Sequence, residues 1–381
     1  MSAVRLGVYY AAFFGMIGIM MPFWPVWLSA RGLNASQIGL VLAATTLIRV
    51  VTNPMIAQYA DRRGERRRIM VWLSFIAIPV FALFPFTIGF WTILIVSLLH
   101  AVFWSASQPL GESLTMLTAR RDGFDYGHIR LWGSVAFIVT AIAIGRLVSD
   151  GGADIIFYAS LAASVLFYFS CLALPKTSAP AATSTRFPIA PLLRDRRFLW
   201  VLLACALIQG SHAVYYGFGT LHWQSVGYSD TVIGLLWAEG VVAEIILFIF
   251  AAGLVAKIGP TGLIVLGGLA GALRWGLTSI SDALPLLIVA QLLHAFTFGA
   301  AHLGAIHYIN QAINPSLSAT AQSLYSAAVM GFALGIATSI SGALYGSIGS
   351  QAFFTMGVMA AAGGMVAIFM IAKDMPATPS H

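Results

Sequence analysis

The sequence predicts an all-α membrane protein: twelve transmembrane helices in two pseudo-symmetric six-helix bundles. Three observations predict it. Hydrophobic residues fill 59% of the 381 positions and charged residues only 9%, where a soluble domain carries about 25% charged. Twelve apolar runs are each long enough to cross a bilayer. The second half of the chain repeats short stretches of the first at a nearly constant offset.

The runs fall at about 6–29, 36–60, 69–88, 91–117, 128–148, 154–174, 198–222, 231–256, 261–280, 284–308, 318–345 and 350–372. Breakers punctuate them, such as Gly151-Gly152 and Asn314-Pro315. The first, Leu6 to Ser29, is too long for a signal-peptide core and reads as a spanning helix. Between runs six and seven the chain is rich in Pro, Ala, Ser and Thr, then basic. That stretch, 176–197, reads as a cytoplasmic linker. It divides an N-terminal bundle, 1–175, from a C-terminal bundle, 198–381.

The formal net charge of +7 has a topological explanation. With the N-terminus inside, fifteen of the twenty Lys and Arg fall in cytoplasmic segments, and only Arg31 and Arg146 fall outside. Positive loops stay cytoplasmic, so both termini are expected inside. The basic excess therefore calls for no nucleic-acid partner, and the expected surroundings are the lipid bilayer. Cys171 and Cys205 lie in apolar runs and show no disulfide or metal spacing. No cofactor is expected.

The repeat is carried by Ile38-Gly39-Leu40 against Ile233-Gly234-Leu235, and by Leu98-Leu99-His100-Ala101 against Leu292-Leu293-His294-Ala295. In the same register Arg62-Arg63-Gly64 falls on Lys257-Ile258-Gly259, Arg49 on Glu244, and His100 on His294. Repeated halves mark secondary transporters, whose site lies near mid-membrane between the repeats.

After run two the chain reads Ala57-Gln58-Tyr59-Ala60-Asp61-Arg62-Arg63-Gly64-Glu65-Arg66-Arg67. This resembles the G-x-x-x-D-R-x-G-R-R loop of the major facilitator superfamily, with Ala57 for the first glycine and Glu65 interrupting the basic run. The resemblance implies the major facilitator fold and a gating role for Asp61, Arg62 and Gly64. Tyr126-Gly127-His128-Ile129-Arg130-Leu131-Trp132-Gly133-Ser134 resembles the phenylpropionate permease branch, which is related to the lactose permease-like galactoside–proton symporters. Those symporters pair a Glu on helix 4 with an Arg eighteen residues on, as Glu112 and Arg130 stand here. They also space an Arg and a His by twenty, as in Arg274 and His294. Two departures limit the likeness. Thr297 stands where the symporters carry the proton-bearing Glu, and Phe137 stands where a Trp stacks on the sugar.

Three of the four Glu residues lie in spans: Glu112, Glu239 and Glu244. A charge at mid-bilayer costs about 2.5–3.5 kcal/mol even on the lenient insertion scale, so such groups persist where they pair, face a cavity or take up protons. At the helical rise, Glu244 and Arg49 sit roughly 20 Å into their spans. Arg274 and His294 lie roughly 10 and 15 Å from the outer face, close enough to meet. Glu244, Glu239 and His294 are the candidate proton-coupling groups, with a structural ion pair as the other reading of Glu244. Arg49, Glu112, Arg130, Phe137, Arg274 and His294 are the candidate substrate contacts, the arginines because a guanidinium forks onto a carboxylate. Packing against carbonyls or Glu partners is the alternative for Arg49 and Arg274. His100, His212 and His302 read as helix-contact histidines. Pro22, Pro25, Pro54 and Pro109 are expected to bend their helices.

The resemblance implies a proton-coupled importer in the bacterial cytoplasmic membrane. It would act as a monomer on a small-molecule substrate and protons, with an arylpropionate-type carboxylate as the expected solute. A sugar or nucleoside symporter stands as the alternative, and a drug–proton antiporter behind it. ATP coupling is disfavoured, because no G-x-x-x-x-G-K phosphate loop occurs. A membrane enzyme is disfavoured too, because the histidines are scattered.

Overall fold

The computed structural model describes residues 1–177, 189–314 and 317–374. Of the expected linker, 178–188 lies outside the described residues, as does Pro315. The described chain is helical throughout and holds no strand. Twelve helices are long and apolar enough to cross a membrane: α1 (Ser2–Ala30), α2 (Ala35–Arg63), α3 (Arg66–Phe86), α4 (Gly89–Asp122), α5 (Tyr126–Gly151), α6 (Asp154–Ala173), α7 (Arg196–Ser225), α8 (Asp230–Ile249), α9 (Ala251–Ile280), α10 (Leu284–Ala312), α11 (Thr320–Ile348) and α12 (Gln351–Ile371). A short helix, Ile189–Arg194, precedes α7. Every expected span has its helix.

Local chemistry sets the ends. Asn34 and Gln37 form a reciprocal capping box that starts α2. Asp125 starts α5 by accepting from the His128 N–H at 3.0 Å. That bond holds the Asp125 carboxyl below the usual carboxylate range. Of the expected bends, the one nearest Pro109 coincides with a turn at Ala106 within α4, where the backbone stays in the right-handed region. Proline removes the N–H that would bond the carbonyl four residues back, which here belongs to Ser105. The helix α9 breaks at Gly259, with φ +70° and ψ 172°, ahead of Pro260. The expected boundary between runs eight and nine lies there.

Backbone geometry supports the repeat. Gly64 and Gly259 both take left-handed φ, +66° and +70°, and so do Gly32 and Gly227, +85° and +96°. Members of each pair stand 195 residues apart, the offset of Ile38 and Ile233. An L-residue at these turns would pay the left-handed penalty, which is why glycine recurs there.

The chain gathers into two compact units: Met1–Thr185 with Tyr216–Ala238, and Arg186–Tyr215 with Glu239–His381. In the first, α1 packs on α5 and α6, α2 on α4, and α3 on α4 and α6. In the second, α9 packs on α10 and α12, and α12 on α7. Helix α1 is the inner helix of its unit, with Tyr9, Tyr10, Phe23 and Trp27 at most 1% exposed. Tyr9, Phe13, Trp104 and Phe167 meet edge and face at 4.6–6.2 Å. Such pairs add about 0.5–1.5 kcal/mol each beyond the area they bury.

The adjoining ends of α7 and α8 belong to the first unit. There α5 and α8 approach at backbone distance. A Cβ on Gly145 would lie 2.3 Å from the Asp230 carbonyl oxygen, and one on Gly234 would lie 2.4 Å from that of Ala141. Small residues on both helices permit this approach, as is common where helices meet in lipid. The Ser149 hydroxyl accepts from the Thr231 N–H at 3.1 Å beside it.

Candidate functional site

The second unit holds a buried polar cluster centred on Arg274, whose side chain is 0% exposed. The guanidinium donates from Nη2 to Gln291 Oε1 at 2.6 Å and from Nη1 to Thr297 Oγ1 at 3.1 Å. Nη1 also meets His294 Nδ1 at 2.9 Å. Arginine only donates, so Nδ1 accepts here and the proton of a neutral His294 ring stands on Nε2. Tyr215 and Trp275 flank the guanidinium, their ring centres 4.6 and 4.3 Å away. Gln291 Nε2 donates to the Tyr215 hydroxyl at 2.9 Å, and Thr297 Oγ1 lies 3.1 Å from His212 Nε2. Tyr215, Gln291, Arg274, Thr297 and His212 thus form one chain of hydrogen bonds. The expected meeting of Arg274 with His294 is present.

Helix α10 is locally π-helical over Ala295–Ala300, directly after His294. A π-turn widens the helix by one residue and often marks a functional stretch. Helix α8 lies against it: a Cβ on Gly240 would touch the His294 Cβ at 3.4 Å, and one on Gly299 the Glu244 Cγ at 3.4 Å. Glu244 is therefore beside α10, about a turn from the cluster, and half-buried. Glu239 is also half-buried and within electrostatic reach of Tyr215. His212 joins the cluster rather than a plain helix contact. His302 meets the Tyr325 hydroxyl at 3.3 Å.

In the first unit Arg130 stands one turn into α5. Its guanidinium lies 3.8 Å from the Phe14 ring centre and 5.6 Å from that of Tyr10. Tyr126 meets Tyr10 edge-on at 6.4 Å. Glu112 is half-buried, hydrogen-bonded to the Gln108 side chain and within reach of the Arg130 charge. The spacing of eighteen thus brings these two groups into one neighbourhood. Gly133 leaves room for Arg130 and Phe14, since a Cβ there would lie 2.7 Å from Phe14 and 3.2 Å from Arg130 Nη1.

The remaining candidates are placed separately. Arg49 is exposed on α2 and donates from Nε to the Thr45 carbonyl at 2.9 Å. It is within electrostatic reach of His100, which is 6% exposed, 5.0 Å from Phe81 and 6.1 Å from Trp104. Phe137 is 5% exposed, and its backbone lies where a Cβ on Gly18 would go. At the α2–α3 turn Asp61 pairs with Arg66, in the first turn of α3. Gly64 closes α2, its N–H bonding the Ala60 carbonyl at 2.9 Å, and Arg62 is exposed beside it. Glu65 pairs with Arg68 at 3.2 Å.

Sequence reasoning missed Gln291. It was legible as the polar residue three before His294 in an otherwise apolar run, and so on the same helix face. Thr297 reads from sequence only as a missing Glu, whereas it is the junction between Arg274 and His212.

Twelve apolar helices in repeated halves, each half holding charged groups deep in its spans, define a polytopic solute transporter rather than an enzyme. A family model described as "MFS_1 like family" matches residues 3–356, and the chain belongs to that family, within the major facilitator superfamily. It is 33% identical over 383 residues to the probable 3-phenylpropionic acid transporter of Escherichia coli, covering 97% of each chain. It is 22% identical to the lactose permease of Citrobacter freundii, covering 95% of this chain and 92% of the other. The solved structure of the nucleoside transporter NupG superposes with a TM-score of 0.82 at 15% identity, covering 98% of this chain and 99% of that one. The protein is a multi-pass inner-membrane transporter of the major facilitator superfamily.

Proposed function

We propose that this transporter imports a small aryl carboxylate of the arylpropionate type, driven by protons and acting by alternating access. One observation carries the reading. Arg130 offers a forked cation inside an aromatic wall of Phe14, Tyr10 and Tyr126. A carboxylate suits the guanidinium and a flat ring suits the wall. The 33%-identical relative named for 3-phenylpropionic acid supports the same class. Arg49, exposed on its helix, is a second anchor for the acid. Arg274, with three protein acceptors in hand, serves as a positioning residue that holds His294. Phe137, buried on α5 two turns beyond Arg130, is a further substrate contact in this reading.

Glu244 is the proton carrier in this reading, assisted by Glu239 and His294. A half-buried carboxyl without full solvation is the group whose proton affinity changes as its surroundings open. Asp61, Arg62 and Gly64 form the gating loop. Both termini are cytoplasmic, the bundles divide at 176–197, and the chain works as a monomer.

The test is uptake of radiolabelled 3-phenylpropionate into proteoliposomes under an inward proton gradient. Uptake is expected, abolished by a protonophore and, at sub-saturating substrate, strongly reduced by Arg130→Gln. No uptake of any aryl acid, in vesicles where the protein is folded, would sink the proposal. A sugar or nucleoside substrate is the second reading, because Glu112 stands near Arg130 in the spacing of the galactoside symporters. That reading requires Glu112→Gln to abolish uptake of the neutral solute while Arg49→Gln leaves it intact.

A further inference from the structure

Away from these groups, the first unit carries a cleft of about 430 Å³ lined by Arg5, Arg67, Leu172, Ala173, Leu174 and Lys176. It gathers three cations from the start of α1, the start of α3 and the residues after α6. Among the described residues, no carboxylate pairs with any of the three. The other arginines of the α3 start are neutralised, Arg66 by Asp61 and Arg68 by Glu65. Arg67 instead donates from Nη2 to the Leu172 carbonyl at 2.6 Å, and its Nε is buried with no hydrogen-bond partner. The charge is also on the wrong end of its helix. A helix N-terminus is already positive, so cations there are unfavourable until an anion joins them.

The rest of the cleft lining, Leu172, Ala173 and Leu174, is apolar, and its surroundings are apolar too. Leu172 is 38% exposed. Farther along α3 and α6, Trp72, Phe75 and Phe169 are 56%, 48% and 58% exposed. Phe75 meets Tyr168 at 5.6 Å, so the two helices form one continuous apolar face that begins at the cations. A group that fits both parts has a phosphate at one end and hydrocarbon at the other.

We propose that this cleft is a phosphate site for an anionic phospholipid, with Arg5, Arg67 and Lys176 on the headgroup and the α3–α6 face along an acyl chain. Basic pockets between spanning helices bind anionic headgroups by this combination. Occupancy would tie α1, α3 and the residues leading out of α6 together at one end of the unit. Inorganic phosphate shares the headgroup chemistry but lacks the chain.

Native mass spectrometry of the purified, delipidated protein, titrated with phosphatidylglycerol, tests this. One tight lipid per chain is expected. The double variant Arg5→Gln/Lys176→Gln, which alters two exposed side chains, should weaken it about 30-fold, at about fivefold per surface cation. Lys176→Glu alone should weaken it further than Lys176→Gln, since it places an anion in the cleft. Phosphatidylethanolamine, a zwitterion, should bind weakly and be insensitive to these changes. Inorganic phosphate should displace phosphatidylglycerol only at far higher concentration. Displacement at equal concentration would overturn the lipid assignment and leave a free-anion site. Phosphatidylglycerol affinity unchanged in the double variant and in Lys176→Glu, with melting temperatures intact, would overturn the site altogether.

Discussion

An Arg274→Met substitution keeps much of the side chain's length and apolar stem while deleting its forked donor. Three buried acceptors then lose their partner: Gln291 Oε1 at 2.6 Å, His294 Nδ1 at 2.9 Å and Thr297 Oγ1 at 3.1 Å. An orphaned buried acceptor costs about 1–3 kcal/mol. Thr297 Oγ1 keeps its contact with His212, so the lower end of that range applies to it, whereas the bond that Gln291 keeps to Tyr215 is donated from Nε2 and does not replace the donor lost at Oε1. The loss of the guanidinium between Tyr215 and Trp275 adds about 0.5–2 kcal/mol. Removal of a buried positive charge recovers part of the sum, because its desolvation cost goes too. The net expectation is a loss of about 3 kcal/mol, more than a hundredfold in the folded-to-unfolded ratio. Equilibrium unfolding in mixed micelles, without substrate, reads it directly. Arg274→Lys should recover only a fraction, since one ammonium cannot reach acceptors on both sides. If Arg274→Met unfolds within about 0.5 kcal/mol of wild type, Arg274 is not the hub of its cluster. Lost transport at unchanged stability would make Arg274 a substrate anchor instead.

Other expectations follow from single sites. Gly145→Val should lower stability by about 1–3 kcal/mol and lower transport as well, because its side chain meets a backbone carbonyl that cannot swing aside; a melting curve and an uptake assay check both. Arg130→Gln should leave the melting temperature within a few degrees but raise the KM for an aryl acid at least tenfold, while Arg130→Lys restores only part; equal KM values would exclude Arg130 as anchor. Gly64→Val should destabilise the α2–α3 turn by about 1–2 kcal/mol, since a β-branched residue at φ +66° is strained; a thermal shift no larger than that of the neighbouring surface change Arg63→Gln would refute it. Asp125 has a lowered carboxyl pKa, so its cap is present above about pH 4 and lost as the pH falls through the folded-state value; Asp125→Asn should flatten that acid-side loss in melts taken between pH 3 and 7.

The span count and the repeat were legible because lipid forces them into local signals. Each crossing must be an apolar run of fixed length, and each turn must be punctuated. The charge bias marked the loops for the same reason. Some pairings were legible too: Arg274 and His294, twenty apart on consecutive antiparallel helices, meet at the distance their depths imply. The pairing of Asp61 with Arg66 across the α2–α3 turn was not foreseen and came from the structure. Gln291 was missed because glutamine is an ordinary residue in a helix until something buried needs its amide. Thr297 was undervalued because reading it against a family Glu recorded what it lacked.

Sequence alone therefore determined the membrane class, the twelve crossings, the repeat and the list of ionisable groups buried in them, since each follows from the cost of placing backbone or charge in hydrocarbon. It did not determine which of those groups touch. Contact depends on helix rotation and crossing, and these are set by small residues and rings scattered through the chain. Gly145 against Asp230, Gly133 beside Arg130 and Gly240 against His294 fixed those approaches. Only tertiary structure could reveal that the buried arginine of α9 is held by three acceptors, while the arginine of α5 lies against an aromatic wall. The physical reason is that composition prices a buried charge, whereas packing chooses its partner.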